Sequence, residues 1–127
     1  MATPKQLFSL IESPTHPNFA PIYRRLGLIE TRHEAARKLH QALKQTRPDY
    51  LVGEFIYGYG NNYAGVNVCN LDVTLHALQR FSPQTRVIVL VDKEEAPFVS
   101  RLTALFPIHA VLVKPVAESA LEAVLTD

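Results

Sequence analysis

Five short apolar runs, rich in β-branched or aromatic residues, recur along the chain: Leu7 to Ile11, Leu28 to Thr31, Tyr50 to Ile56, Val87 to Val91 and Ala110 to Val113. Between them the apolar positions change to helical spacing, with Phe19, Ile22, Tyr23 and Leu26 in the first segment and Ala35, Ala36, Leu39, Ala42 and Leu43 in the second. The third stripe runs through Val68, Leu71, Leu75 and Leu78, the fourth through Phe98, Leu102, Leu105 and Phe106, and the last through Leu121, Val124 and Leu125. Strand-like runs alternating with amphipathic helices predict a parallel sheet covered on both faces. The third and fourth runs are almost continuously apolar, which places them at the sheet centre.

The punctuation agrees with this parse. Pro21 is tolerable only in a first helical turn, and Gly27 can end that helix in a left-handed conformation. Pro48, Pro83 and Pro107 each fall shortly before a predicted strand, where they stop the preceding helix. Right-handed crossovers leave few arrangements of five parallel strands, and the flavodoxin-like order 2-1-3-4-5, a three-layer (βα)5 sandwich, is the expected one. In such a sheet the carboxyl ends of strands one, three, four and five share an edge, where a functional site is expected.

At 127 residues, 47% hydrophobic and 20% charged, the chain suits one domain with one core, expected to span residues 1–127 with no output domain attached. Thirteen basic and twelve acidic side chains nearly cancel, so no large field is available to drive binding to nucleic acid or an anionic membrane. One cysteine, Cys69, permits no internal disulfide, and no Cys/His spacing suggests zinc. Residues Met1 to Lys5 lack a signal-peptide layout, and no apolar run approaches the roughly twenty residues that span a bilayer. A soluble, cytoplasmic protein is expected.

The most informative residues fall at the predicted strand ends. Pro48-Asp49-Tyr50-Leu51-Val52-Gly53-Glu54 and Val113-Lys114-Pro115 make the chain resemble the receiver domains of response regulators over nearly its whole length. The resemblance implies that Glu54 stands where the family has its phosphoacceptor aspartate. It implies that Lys114 matches the lysine that contacts the phosphoryl group, and that Pro115 follows a cis peptide. Where paired acids should hold magnesium, the chain offers Glu12 and Ser13. Val91 replaces the switch hydroxyl, and Val111 replaces the swinging aromatic.

These departures bear on chemistry. Phosphoryl transfer needs an in-line carboxylate, a metal and a cation. Glutamate's extra methylene displaces the attacking oxygen, and an error of about 1 Å can cost on the order of a hundredfold in rate. A degenerate receiver, or pseudo-receiver, is therefore expected, with no enzymatic activity. No cofactor is expected either, because a magnesium site keeping one of its two acids has lost much of its charge. Two readings of Glu54 remain open: a permanent ion pair with Lys114, or a solvated residue at a strand end.

The segment Tyr57-Gly58-Tyr59-Gly60-Asn61-Asn62-Tyr63-Ala64-Gly65 is rich in turn-forming residues. Tyr57, Tyr59 and Tyr63 could give it a contact surface or a lid, or it is a packed surface loop. Gly58, Gly60 and Gly65 match neither the dinucleotide fingerprint nor the P-loop. The five histidines, His16, His33, His40, His76 and His109, are spread over different segments and are expected at surface or edge positions, with His16 nearest the pocket. Arg24, Arg25, Arg32, Arg37, Lys38, Lys44 and Arg47 read as solvated helical faces, and Cys69 as a small buried apolar residue.

The function expected is signalling by protein contact with a histidine kinase, an output protein or a second copy of the chain, a symmetric homodimer being one allowed state. Receivers commonly dock through helix four, strand five and helix five, which points to Glu94, Glu95, Phe98, Arg101, Leu102, Val111 and Val116. The alternative is a small-ligand or nucleotide sensor built on the strand-end pocket and the tyrosine loop. Phosphorylation at Asp92 or Asp49 is the least favoured reading, since Asp49 precedes a buried strand and Asp92 lies beyond one.

Overall fold

In the computed structural model, which describes residues 4–12, 17–57 and 69–126, each of the five apolar runs forms a strand. These are β1 (Gln6–Leu10), β2 (Ile29–His33), β3 (Tyr50–Glu54), β4 (Arg86–Val91) and β5 (Ala110–Val113). They pair in parallel in the order β2-β1-β3-β4-β5, the expected one among the few that right-handed crossovers allow. The helices are α1 (Ala20–Arg25), α2 (Ala36–Leu43), α3 (Asp72–Phe81), α4 (Val99–Thr103) and α5 (Glu118–Leu125), with a 3-10 turn at Ala96–Phe98 leading into α4.

Alternate strand residues feed two cores, one on each face of the sheet. Phe8, Leu10, Leu51, Val87, Val89 and Val91 pack against α2, α3 and α4. Leu7, Tyr50, Val52, Ile88 and Leu90 pack against α1 and α5. The Tyr50 hydroxyl crosses the second core to donate to the Leu125 carbonyl at 3.0 Å, tying α5 to the central strand. On the edge strand β5 the alternation leaves Val111 and Val113 36% and 44% exposed, because the short α4 does not cover them.

Three expectations need correction. The fourth apolar stripe is interrupted: Phe106 and Leu102 enter the core, but α4 ends at Thr103 and Leu105 falls in the turn beyond it, largely exposed. The third helix starts later than its stripe suggested, at Asp72, whose carboxylate accepts the Cys69 N–H at 3.2 Å and so closes a turn there; Val68 lies outside the described residues. His33 is buried rather than superficial, because β2 continues past Thr31 and the Ile11 N–H prolongs the pairing by donating to the His33 carbonyl. Its ring meets Phe8 edge-on at 4.7 Å, and burial holds its pKa below the ordinary value.

The end of α1 is set by Gly27, with φ of 77°. Its N–H donates to Arg24 O, and the Leu28 N–H donates to Tyr23 O at 2.8 Å, a Schellman closure that drops Leu28 into the core at the start of β2. No atom lies within 4 Å of where a Cβ would stand at Gly27, so a side chain there meets only the backbone penalty. Gly27→Ala should therefore cost about 1 kcal/mol, read from the shift in urea midpoint at constant slope; an unchanged midpoint would show that the left-handed turn is not what ends the helix.

Candidate functional site

The strand registers bring four chain ends to one edge of the sheet, since Leu10 lies beside Gly53, Glu54 beside Leu90 and Val91 beside Val113. Glu54 is the last residue of β3, held in place by the next N–H, of Phe55, donating to Leu90 O at 2.7 Å. Lys114 follows β5, its N–H donating to Val91 O at 2.8 Å, and its peptide bond to Pro115 is cis. The Lys114 ammonium reaches the Glu54 carboxylate at 2.5 Å and lies 3.7 Å from Asp92, whose side chain is more than half exposed. Glu54 itself is buried, which excludes the solvated strand-end reading.

A second polar knot lies beside the first and was not foreseen. Asn70, in the turn before α3, uses its side-chain Nδ2 to donate to Glu12 Oε1 at 2.7 Å and to the Glu54 carbonyl at 2.8 Å. Its Oδ1 accepts the Ile56 N–H at 2.7 Å. These partners fix the amide orientation, because only the NH2 can meet a carboxylate and only the oxygen can meet an N–H. Gly53 makes the approach feasible: a Cβ there would stand 3.1 Å from Leu71, the residue that follows Asn70. The clue in the sequence was Asn70-Leu71-Asp72, a helix-start pattern hidden by running the third stripe back to Val68.

Glu12 is half-buried two residues beyond β1. Burial raises its pKa above the usual 4.5, the Asn70 hydrogen bond pulls it back, and repulsion from Glu54 raises it further. Val91 is fully buried and brings no hydroxyl to the site. Ser13 and His16 lie outside the described residues, as do Tyr59 and Tyr63.

The partner-surface candidates are in part turned inward. Tyr57 forms an isolated bridge with Cys69 and stacks on Phe98 at 4.3 Å, with Phe55 behind it at 6.2 Å. Arg101 donates to the Tyr57 hydroxyl at 2.9 Å, and Glu95 accepts the Tyr57 N–H at 2.5 Å. Glu95, Phe98 and Arg101 thus hold Tyr57. Leu102 is fully buried in the core and offers no contact surface, which corrects its place in the expected docking face. Val111 remains exposed, Val116 is half-buried and Glu94 is solvated.

Beside Lys114 an open groove of about 510 Å³ is lined by Pro17, Asp92, Lys93, Glu94, Pro115 and Val116. Among the described residues no three His, Cys, Asp or Glu side chains gather as metal ligands. The basic residues of the first half are all exposed, and no described helix is long and apolar enough to cross a membrane. Cys69 is buried, and its thiol is pushed up to about 12, chiefly by burial.

No protein-family model matches the chain, and no curated protein matches it by sequence. Solved structures do match. FixJ-N aligns with a TM-score of 0.74 at 12% identity, over 98% of this chain and 93% of that one. The receiver domain of a sensor histidine kinase from Pseudomonas aeruginosa PAO1, with magnesium coordinated in its active-site cleft, aligns at 0.69 and 13% identity over 98% and 96%. An adenylate cyclase from Rhodopirellula baltica aligns at 0.72 and 11% identity over 98% and 86%. The likeness establishes the fold, a flavodoxin-like sheet of the receiver type.

The Pseudomonas receiver domain coordinates magnesium in its active-site cleft, and the described residues at this edge do not fit such an ion. Magnesium requires near-octahedral oxygen ligands at short distance. Here the Glu54 carboxylate receives an ammonium, and the Glu12 carboxylate and Glu54 carbonyl both receive the same amide nitrogen.

Two outcomes follow from the charges. Removing one member of a buried pair strands the other, so Lys114→Ala should cost about 3 kcal/mol, whereas Glu54→Leu with Lys114→Met together should cost far less; equal losses in urea unfolding would mean that the pair is not coupled. The raised pKa of Glu12 means that the folded state binds its proton more readily. The stability this group contributes is complete below pH 4.5 and is lost as pH rises through the folded value. Glu12→Gln, which keeps the acceptor for Asn70, should be more stable than wild type at pH 7, with the advantage shrinking toward pH 4.5; an advantage equal at both would rule out charge burial as its cause.

Proposed function

We propose that this chain is a receiver-like signalling domain that works by protein contact and does not accept a phosphoryl group. The reading is carried by the Glu54 to Lys114 contact, in which the residue at the acceptor position is already neutralised by the cation that would otherwise meet the phosphoryl oxygens. A carboxylate engaged in this way is a poor in-line nucleophile. The burial of Val91 at the end of β4 supports it, since no hydroxyl is there to follow a phosphoryl group.

The surface that suits a partner is the outer face of β5. Val111 and Val113 stand on one side of an edge strand, with Phe98 partly exposed on the segment leading into α4. Apolar side chains beside unpaired edge backbone favour a protein, whether a kinase, an output protein or a second copy of the chain. The small-ligand alternative has the groove beside Lys114, but its lining mixes charges of both signs and its buried lysine is spent on Glu54. Docking without chemistry is the better-supported reading.

Incubation with acetyl phosphate and magnesium, followed by intact-mass measurement, tests the proposal. The expected spectrum shows the unmodified chain alone. An adduct of one phosphoryl group, on Glu54 or any other side chain, would overturn the phosphorylation-independent reading.

A further inference from the structure

We infer that the Asn70 side-chain amide occupies the position a divalent cation would take at this sheet edge, so that the oxygens gathered there have their donor without metal. The inference deepens the reading of a site that does not accept phosphoryl groups, and it can fail independently of it. Two oxygens from separate segments, the Glu12 carboxylate at the exit of β1 and the Glu54 carbonyl at the end of β3, would otherwise face one another without a donor. A hard cation gathers groups of this kind.

In this chain a neutral NH2 group gathers them instead. Both amide hydrogens are used, one on the Glu12 carboxylate at 2.7 Å and one on the Glu54 carbonyl at 2.8 Å. The amide oxygen is occupied by the Ile56 N–H, and the Asn70 backbone N–H donates to Ile56 O at 3.3 Å. An ion bridging Glu12 to the end of β3 would have to sit where Nδ2 sits. Lys114 supplies a formal positive charge to Glu54. Asn70 is thus a positioning residue: it fixes the β1 exit, the β3 exit and the start of α3 relative to one another, a task that needs no ligand.

The chemistry of one atom separates the amide from a metal site. In Asn70→Asp the acceptor for Ile56 is retained, but the donor becomes a carboxylate oxygen facing Glu12. The variant should be destabilised in chelator and rescued by metal. Melting curves and isothermal titration with magnesium and manganese chloride would be run on the wild-type chain and on this variant. The wild type should show no saturable binding and no melting shift at millimolar metal. Asn70→Asp should gain a metal-dependent rise in Tm of about 4 °C or more, a response that loss of a merely structural hydrogen bond would not produce.

Saturable magnesium binding by the wild type overturns the inference, as does an Asn70→Asp chain that folds and ignores both metals. Should that variant not fold, manganese bound to the wild type, read by electron paramagnetic resonance, decides alone: a free-ion spectrum supports the inference, and a bound one overturns it. A wild type that binds magnesium yet takes no phosphoryl group would remove only the role of Asn70. A phosphoryl adduct without detectable metal affinity would remove only the reading of Glu54.

Discussion

A carboxylate at the end of a central strand and an ammonium after an edge strand can lie inside this sheet edge only because each neutralises the other. Taking either charge out of water alone is costly, and their attraction repays the cost only when the geometry is good. Here it is supplied by backbone pairing on both sides: Phe55 anchors the end of β3 to β4, and Lys114 anchors the end of β5 to the same strand. The 2.5 Å contact between the side chains is thus a consequence of sheet register. The residues around it, Asn70 with Glu12 above all, arrange themselves to leave no further buried charge without a donor.

Switching proteins need two states of similar free energy that a ligand can tell apart. At this edge Glu54, Lys114, Glu12 and Asn70 already have hydrogen-bond or ionic partners in one arrangement, which on the proposed reading removes an incentive to change shape. The valines at positions 91 and 111 point the same way, because an apolar side chain has no bond to exchange when charge appears nearby. What remains available to a partner is surface. The unsheltered side of β5 is apolar, and Tyr57 stacks on Phe98 before α4 and accepts from Arg101 within it. Fold and function separate here: a sheet of the receiver type hosts a strand-end site that, on the proposed reading, does no phosphoryl chemistry.

Much of this was legible in the residues. The apolar runs marked all five strands, since a parallel sheet with two buried faces writes nearly continuous hydrophobic segments, and crossover handedness narrowed their order. Gly27 and Pro21 marked α1 because their backbone preferences are local. The Glu54 to Lys114 contact was one of two open options, decided by burial, which no single position reveals. Asn70 stayed hidden because its three partners, Glu12, Glu54 and Ile56, come from other segments of the chain. His33 was misplaced because one further ladder bond turned a loop residue into a strand residue. Leu105 was misplaced because helix length is set by tertiary fit as much as by spacing.

Cys69 sits next to Asn70 under Leu71, with its backbone and sulfur committed to the turn that opens α3. It is the chain's one thiol, and its burial keeps it protonated across the range in which alkylating reagents act. Burial thus shields the native sulfur from alkylation. A cysteine introduced on the surface, β5 included, would be the accessible thiol for a spin label or fluorophore, so distances across the molecule can be followed spectroscopically without first deleting a residue from its interior.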